Sequence, residues 1–280
     1  MKINYNQLRR RCLSRFEDFE GELRVGPNGR HLFIDNGGDV LAVAHLDTVQ
    51  SSRHFIVDTI GSEKIVLNCQ LDDRLGAYII LDHLPKLGLK YDVLLTEGEE
   101  SGRSTAADFV PAKDYNWMFS FDRNGTDVVM YQYEDEPIIE VIEQEYGVAV
   151  GIGSFSDICF LGHLGIKGFN WGCGYHDNHG RFSHAVVEET AYMMEAFQFF
   201  FADYQAVQLP HVEDYSYPAR FGISDYEWNY PVKADSYRCD ECGVVVPPDR
   251  FWFDLGICTD CQREFAKDQE YGRLFERELL

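Results

Sequence analysis

The chain has 280 residues, of which 45% are hydrophobic and 14% aromatic, enough for one large packed domain and a small appendage. Its formal net charge of -22 argues against nonspecific binding to nucleic acid or to an anionic membrane surface. No apolar run approaches a membrane span, and no apolar segment of the kind found in secretory signals follows the basic stretch MKINYNQLRRRCLSRF.

The first part of the chain predicts a helix, a turn and then a buried strand. Residues Tyr5 to Phe19 have an amphipathic pattern, and Gly26 to Gly29 (GPNG) predict a turn between two short strands. Residues Asp39 to Asp47 (DVLAVAHLD) are nearly all apolar, as expected of a strand in a buried parallel sheet. Gly61-Ser62 lies between the β-branched runs HFIVDTI and KIVLN and predicts a hairpin, after which the pattern is helical from Leu75 to about Lys86.

The middle of the chain alternates apolar strands with helical segments. Residues 91–102 and 117–125 predict two more buried strands that end in acids. The later segments predict a strand and helix (128–133 and 138–144), a loop and helix (153–165), a strand with a histidine-bearing loop (167–180) and a closing helix (186–201). This alternation predicts an α/β fold, a three-layer α/β/α sandwich with a mostly parallel mixed sheet.

The last quarter of the chain has a different character. We expect a catalytic domain at 1–205, a linker at 206–236 and a small module at 237–280. The stretch from Leu209 to Tyr237 is rich in Pro and Tyr without a clear period. We interpret it as an ordered linker packed on the catalytic domain rather than as disorder, because its aromatic side chains need burial.

Two Cys-x2-Cys pairs mark the terminal module, Cys239 with Cys242 and Cys258 with Cys261, with fifteen residues between the pairs. Four thiolates at this spacing predict a zinc-ribbon-like module around one structural zinc. The acidic residues around these cysteines favour a role in docking a protein or covering the substrate over binding DNA. The other four cysteines are scattered among apolar residues, a pattern that we expect of a protein in the reducing cytoplasm.

Polar residues recur where the predicted buried strands end, and in open α/β sheets ligands bind at that edge. These residues are His45, Asp47, Glu99, Glu100, Asp122, His176 and His179. Asp72 joins them from the start of a helix, and we hypothesise that it bridges two divalent metals. A His-x-Asp pair or a Glu-Glu doublet alone is usually a surface feature. Their repetition at the ends of buried strands favours a metal site.

Six segments resemble, in the same order, motifs of the co-catalytic zinc exopeptidases and deacylases, which include zinc aminopeptidases, peptidase T and acetylornithine deacetylase. They are AHLDTV, LDDRLG, TEGEESG, SFDRNG, GSFSDICFL and GYHDNHG, within about residues 41–201. The resemblance implies that one metal is held by His45 and Asp122 and the other by Glu100 and His179, with Asp72 bridging them. It also implies that Asp47 orients His45 and that Glu99 is the general base.

One detail of the resemblance stays open, the identity of the last metal ligand. His176 and His184 are alternatives to His179 as the last ligand. Asp73 and Arg74 match the family pattern but receive no ligand role. The stretches from His45 to Asp72 and from Asp122 to His179 are too short for an inserted lid or dimerisation domain. The layout is therefore nearest to the monomeric aminopeptidase type.

The implied function is hydrolysis of a peptide or N-acyl amide bond by a metal-bound hydroxide, with Glu99 carrying the proton to the leaving amine. We expect two Zn, Mn or Co ions in the active site and a small peptide or N-acylated amino acid as substrate. A protein partner could dock on the zinc ribbon. The alternative is a catalytically idle protein of this fold that acts as a binding module through the ribbon. The full ligand set and Glu99 favour the enzyme.

Overall fold

The computed structural model describes residues 3–52, 54–177, 179–180 and 182–212, and beyond them only four strands of two residues each. The chain divides into two units, Met1–Tyr217 and Pro218–Leu280. Most of the predicted linker and the side chains of the four ribbon cysteines lie outside the described residues. In the part that is described, no helix is long and apolar enough to cross a membrane.

The first unit contains twelve described strands and four α-helices. The strands are β1 (Glu22–Gly26), β2 (Gly29–Ile34), β3 (Leu41–His45), β4 (Ile56–Ile60), β5 (Glu63–Leu67), β6 (Asp92–Thr96), β7 (Met118–Arg123), β8 (Val128–Val129), β9 (Val150–Gly151), β10 (Gly168–Gly172), β11 (Tyr175–His176) and β12 (His184–Val186). The helices are α1 (Tyr5–Leu13), α2 (Leu71–Tyr78), α3 (Glu136–Glu145) and α4 (Val187–Tyr204).

The strands form an eight-stranded mixed sheet in the order β1-β2-β6-β3-β7-β10-β8-β9 and a four-stranded antiparallel sheet in the order β11-β12-β5-β4. In the large sheet, β6, β3, β7 and β10 are parallel to one another, while β2 and β8 join them antiparallel. The predicted α/β fold with a mixed sheet is therefore confirmed.

The register of the central strands brings their carboxyl ends together. His45, the last residue of β3, pairs with Thr96, the last residue of β6. Leu41 at the start of β3 pairs with Met118 at the start of β7, so His45 and Asp122 each lie four residues further along neighbouring strands. All residues of β3 and β6 are buried, which explains why both strands appear in the sequence as apolar runs.

An aromatic core packs helix α4 against β7. The ring centroids of Phe119 and Phe121 lie 4.5 and 5.0 Å from that of Phe197, and Trp117 joins the same cluster. Because successive strand residues point to opposite faces, Asp122 projects away from this aromatic layer. The core thus fixes the strand that carries Asp122 without enclosing its carboxylate.

Two helices differ in extent from the prediction. Helix α1 ends at Leu13, and the chain reaches Phe19 through a short 3₁₀ turn at Phe16–Asp18. Helix α2 starts at Leu71, but Asp72 has a non-helical ψ of 111° and its peptide bond to Asp73 is cis. The chain then continues through a π-turn and a 3₁₀ turn to Leu87, so the predicted helix over 75–86 is confirmed in position.

In the second unit the structure describes two antiparallel strand pairs. Strand β13 (Tyr237–Arg238) pairs with β14 (Val245–Val246), and β15 (Phe251–Trp252) pairs with β16 (Ile257–Cys258). The prediction of a zinc ribbon stays a prediction, because its metal-ligating side chains lie outside the described residues.

Candidate metal centre

The carboxyl edge of the large sheet gathers side chains from five separate segments. His45 ends β3, Asp122 lies in β7, and Glu99 and Glu100 occupy a 3₁₀ turn that follows β6. Asp72 comes from the irregular start of α2. His179 follows β11 in a backbone conformation with a φ of 59°.

Asp72 lies between two histidines, and each of its oxygens faces one of them. Its Oδ1 is 3.3 Å from Nε2 of His45, and its Oδ2 is 3.1 Å from Nε2 of His179. His45 Nε2 is also 3.2 Å from Oδ1 of Asp122. His179 Nε2 is also 3.0 Å from Oε2 of Glu100. The result is two histidine–carboxylate groups that share one carboxylate.

These spacings suit ligands of a divalent metal. Ligand atoms placed about 2.0–2.1 Å from a tetrahedral zinc are about 3.3 Å apart. Two groups of described residues bring their ligand atoms within 4.8 Å of one another, His45/Asp72/Glu100 and His45/Glu99/Asp122. Buried oxygens of Asp47 and Glu100 lack a hydrogen-bond partner. Among the described residues, these carboxylates form ion pairs with histidine only, so the donor set fits added cations.

Crowded carboxylates shift the pKa of both histidines upward. Burial alone would lower the pKa of His45, but the carboxylates of Asp122, Asp72 and Glu99 outweigh it and raise this pKa well above its ordinary value. Hydrogen bonds that the His179 imidazole donates to the carboxylates of Asp72 and Glu100 raise the pKa of His179 to about 10. In the metal-free protein, protons on the two imidazoles therefore supply part of the missing positive charge.

The carboxyl groups respond in different directions. Burial raises the pKa of Glu99 to about 9, with Asp122 and Asp157 adding to the shift. Burial likewise raises the pKa of Asp122 to about 7, although His45 opposes it. Asp72 is also buried, but hydrogen bonds from His179 and His45 lower its pKa below the ordinary value. At neutral pH the metal-free protein therefore has an ionised Asp72 and a protonated Glu99.

Asp47 contacts the site through two different groups. Nδ1 of His45 lies 2.9 Å from the main-chain carbonyl oxygen of Asp47 and 3.7 Å from its carboxylate Oδ1. The other carboxylate oxygen accepts the N–H of Glu100 at 3.1 Å. An Nδ1–H bonded to the carbonyl leaves Nε2 of His45 as the ligand atom. The carboxylate of Asp47 links the loops that carry His45 and Glu100.

Of the three histidines considered for the last ligand, His179 is the one that contacts Asp72 and Glu100 in the described structure. His176 pairs with Glu189 at 2.7 Å and stacks on His184 at a centroid distance of 5.4 Å. His184 also has Nδ1 2.8 Å from the carbonyl oxygen of Phe182.

The two residues after Asp72, Asp73 and Arg74, are buried next to the site. The buried guanidinium of Arg74 donates to the carbonyl oxygens of Leu46, Arg11 and Ser14. It thereby ties the loop between His45 and Asp47 to the end of α1. Asp73 is fully buried with no hydrogen-bond partner for either oxygen, and burial raises its pKa well above the ordinary value. The three hydrogen bonds of Arg74 fit the absence of a ligand role for this residue.

Sequence reasoning assigned no role to Ser156 and Asp157, although it recognised their segment, GSFSDICFL. Ser156 donates to the carboxylate of Asp122, and Asp157 accepts hydrogen bonds from Thr96 and Ser104. The segment's place in the ordered set of motifs was the available signal. These side-chain hydrogen bonds of Ser156 and Asp157, with residues at least 34 positions away, are visible only in the folded chain.

No protein-family model and no curated protein matches this chain. Among solved structures, it is similar to PhTET1-12s, whose crystal structure has a dodecamer in the asymmetric unit, at 12% identity and a TM-score of 0.50, covering 71% of this chain and 99% of that one. It is also similar to a tripeptidase from Staphylococcus aureus at 9% identity and a TM-score of 0.50, covering 66% of this chain and 88% of that one. At these identities the similarity establishes a shared fold.

Proposed function

We propose that this protein is a metal-dependent hydrolase of peptide or N-acyl amide bonds. The observation that carries the proposal is the position of Asp72, whose two carboxylate oxygens lie 3.3 and 3.1 Å from Nε2 of His45 and His179. A carboxylate shared between two histidine-containing groups is suited to bridge a pair of divalent cations. The fold shared with a tripeptidase is compatible with a peptide substrate.

Five residues would hold the two metals. His45 and Asp122 would bind one, Glu100 and His179 the other, and Asp72 would bind both. Zn²⁺ suits these ligands, and Mn²⁺ or Co²⁺ would also be accepted by imidazole and carboxylate. When bound, such a pair lowers the pKa of a water molecule and polarises a carbonyl oxygen.

Glu99 would act as the general base. It is 9% exposed and its Oε2 lies 3.8 Å from Nε2 of His45, farther than the carboxylates of Asp72 and Asp122. Nearby cations would lower the pKa of Glu99 from about 9 toward the range in which a base works. Glu99 would then take the water proton at a carboxylate oxygen and deliver it to the leaving amine nitrogen.

Other parts of the proposal concern the rest of the chain. The four cysteines Cys239, Cys242, Cys258 and Cys261 would hold one structural zinc, and a protein partner would dock there.

The substrate would be a small peptide or an N-acylated amino acid. Arg123, next to Asp122, forms a two-point ion pair with Asp127 at 2.9 Å, so we assign it no role in binding the substrate. We place the protein in the cytoplasm from its cysteine pattern.

Two adjacent glutamates provide the sharpest test of the proposal. We call the two ions held by His45, Asp122, Asp72, Glu100 and His179 the cage metals. In protein loaded with Zn²⁺, Mn²⁺ or Co²⁺, Glu99→Gln should keep both cage metals. Its turnover should fall roughly 10²–10⁴-fold, the usual contribution of a positioned general base. Glu100→Gln should lose one metal as well as activity, because an amide is a poor replacement for a carboxylate ligand. Glu97→Gln is the matched control, because Glu97 pairs instead with Arg30 at 2.8 Å.

The measurements are metal stoichiometry and hydrolysis of a panel of aminoacyl, dipeptide and N-acetyl substrates. Glu97→Gln should match the wild type in both. Metal loss in Glu99→Gln with retention in Glu100→Gln would mean that the two roles are reversed. Wild-type protein that carries both cage metals but hydrolyses no member of the panel would contradict the proposed activity.

A further inference from the structure

The segment that contains Ser156 and Asp157 contacts two sides of the metal centre. One side is strand β7 with Asp122 (the Asp122 wall), and the other is the loop after β6 (the Glu99–Glu100 wall). Ser156 is completely buried, and its Oγ donates to Oδ2 of Asp122 at 2.9 Å. The other oxygen of Asp122 is the one that faces His45. This hydrogen bond therefore fixes the rotation of the carboxylate and decides which oxygen is turned toward the candidate metal position.

The next residue contacts the opposite wall. The carboxylate of Asp157 is 1% exposed and accepts hydrogen bonds from Thr96 Oγ1 at 2.5 Å and from Ser104 Oγ. Thr96 ends β6, and Ser104 precedes the 3₁₀ turn Thr105–Asp108. The two hydroxyl groups therefore mark the two ends of the loop that carries Glu99 and Glu100.

The loop between these two ends is short and internally bonded. The N–H of Thr105 donates to the carbonyl oxygen of Glu97, and the N–H of Arg103 donates to that of Gly98. Neither contact reaches β7, so they shape the loop without fixing its distance from Asp122. The N–H of Glu100 ties the loop to the carboxylate of Asp47 after β3. Asp157, covalently linked to Ser156, adds the side-chain connection to the segment that holds the Asp122 carboxylate.

We propose that Ser156 and Asp157 are positioning residues that hold the Asp122 wall and the Glu99–Glu100 wall of the metal centre at a fixed separation. The inference rests on the proposed metal site and extends it to residues that are not ligands. Both oxygens of Asp157 accept hydrogen bonds from hydroxyl groups, so this carboxylate anchors the two ends of the loop. Partners of this kind typically change metal affinity by about 10–100-fold when removed.

The test uses full-length protein and two single-group variants. Ser156→Ala removes the hydroxyl that faces Asp122, and Thr96→Val removes one hydroxyl that faces Asp157 while keeping the charge of Asp157. Tyr115→Phe is the matched control, because the Tyr115 hydroxyl donates to the buried carboxylate of Asp92 at 2.9 Å. Each substitution deletes one hydroxyl donor to a buried carboxylate. Only the first two act near the metal centre.

Three readouts separate positioning from a general loss of stability. The dissociation constants of the cage metals, measured by competition with a chelator, should rise about 10–100-fold in Ser156→Ala and Thr96→Val and stay unchanged in Tyr115→Phe. Amide hydrogen exchange of residues 97–105 should accelerate in metal-free Thr96→Val and not in Tyr115→Phe. With saturating metal, kcat should fall while KM stays near the wild-type value.

Unchanged metal affinity and unchanged loop exchange in both variants would overturn the positioning role. An equal loss of affinity in Tyr115→Phe would also overturn it, because the effect would then follow stability rather than position. If the wild type itself binds no cage metal, the proposed function fails. If the wild type binds two cage metals and the variants bind them equally well, only this inference fails.

Discussion

Strand β6 has a buried acidic site at each end, and the two sites compensate their charge in different ways. At its start, the carboxylate of Asp92 accepts the N–H groups of Asn36 and Gly38, the hydroxyl of Tyr115 and the ammonium of Lys113 at 2.8–3.0 Å. Burial alone would raise the pKa of Asp92, but these donors outweigh it and lower the pKa. Asp92 is a saturated structural carboxylate.

Beyond the other end of β6, several carboxylates face two imidazoles. The pKa values of Glu99 and Asp122 are raised, mainly by burial, to about 9 and about 7. A buried acid with enough donors needs nothing further, whereas a buried group of acids with too few donors is stabilised by added cations. The comparison teaches that burial of acids alone does not identify a metal site. What distinguishes the proposed site is that several acids with too few donors lie around two imidazoles.

The largest effect on metal binding and turnover is expected from removing the charge of Asp72, the carboxylate proposed to bind both metals. Asp72→Asn should lose both cage metals and lower turnover by at least roughly 10³-fold, because the metals supply several kcal/mol of transition-state stabilisation. Metal analysis and substrate hydrolysis measure the effect, and a native circular dichroism spectrum shows that the variant is folded. Retention of both metals in this variant would break the comparison.

The corresponding change at the other end should affect stability instead. Asp92→Asn should lower the free energy of unfolding by roughly 2–4 kcal/mol, because it removes the charge of a buried carboxylate from a partly exposed ion pair and weakens three further hydrogen bonds. Metal content and turnover per folded molecule should stay at wild-type values. Urea unfolding and metal analysis are the measurements. Loss of cage metal in this variant would show that the two ends are not independent.

The pH dependence of stability should differ between chelated and metal-loaded protein. In the metal-free protein, Glu99 and Asp122 have pKa values above their ordinary 4.5 and 3.8, so the folded state holds more protons than the unfolded chain. The free energy of unfolding should therefore fall as the pH rises from about 5 to about 9. The raised pKa values of His45 and His179 act in the same direction.

Metal ions replace these protons, so zinc should stabilise the protein more as the pH rises. Thermal unfolding from pH 5 to 9, with chelator and with zinc, measures this gap. Asp72→Asn is the control, because any stabilisation by zinc that remains in this variant comes from zinc bound elsewhere and can be subtracted. Parallel pH profiles for chelated and loaded wild type would contradict the account. Asp92 acts in the opposite window: its stabilisation is present above pH 3.8 and is lost as the pH falls through its lower folded pKa.

The smallest effect is expected from Lys113, which donates to Asp92 at 2.8 Å but is 37% exposed. Lys113→Met should cost about 1 kcal/mol of unfolding free energy, because solvent screens a partly exposed pair and three other donors to Asp92 remain. Acid unfolding should also shift to higher pH. A loss as large as that of Asp92→Asn would mean that Lys113 alone compensates the charge of Asp92.

Much of the fold is readable from the sequence because the central strands β3 and β6 are buried throughout and apolar in their interior. Residues 41–45 and 92–96 are continuous buried runs, and the polar groups that follow them stand out. The hairpin at Gly61-Ser62 and the turn at 26–29 are also confirmed, since glycine-containing turns carry their own signal.

Other features depend on contacts that no local pattern records. Helix α1 stops at Leu13, and the main chain around Ser14 is held by the distant guanidinium of Arg74. Asp92 is the first residue of β6, and the sequence gives no sign of its four donors, which come from residues at least 21 positions away. Sequence periodicity predicts which residues are buried, but it does not predict how buried acids are compensated.

The central claim is that Asp72 organises two cation positions at the carboxyl end of the sheet. The most direct measurement is anomalous diffraction from crystals of the full-length protein loaded with zinc. The account predicts two peaks on either side of Asp72, roughly 3.5–4 Å apart, one beside His45 and Asp122 and the other beside Glu100 and His179. An absence of peaks at this edge in zinc-loaded crystals, or a single peak that does not contact Asp72, would contradict it.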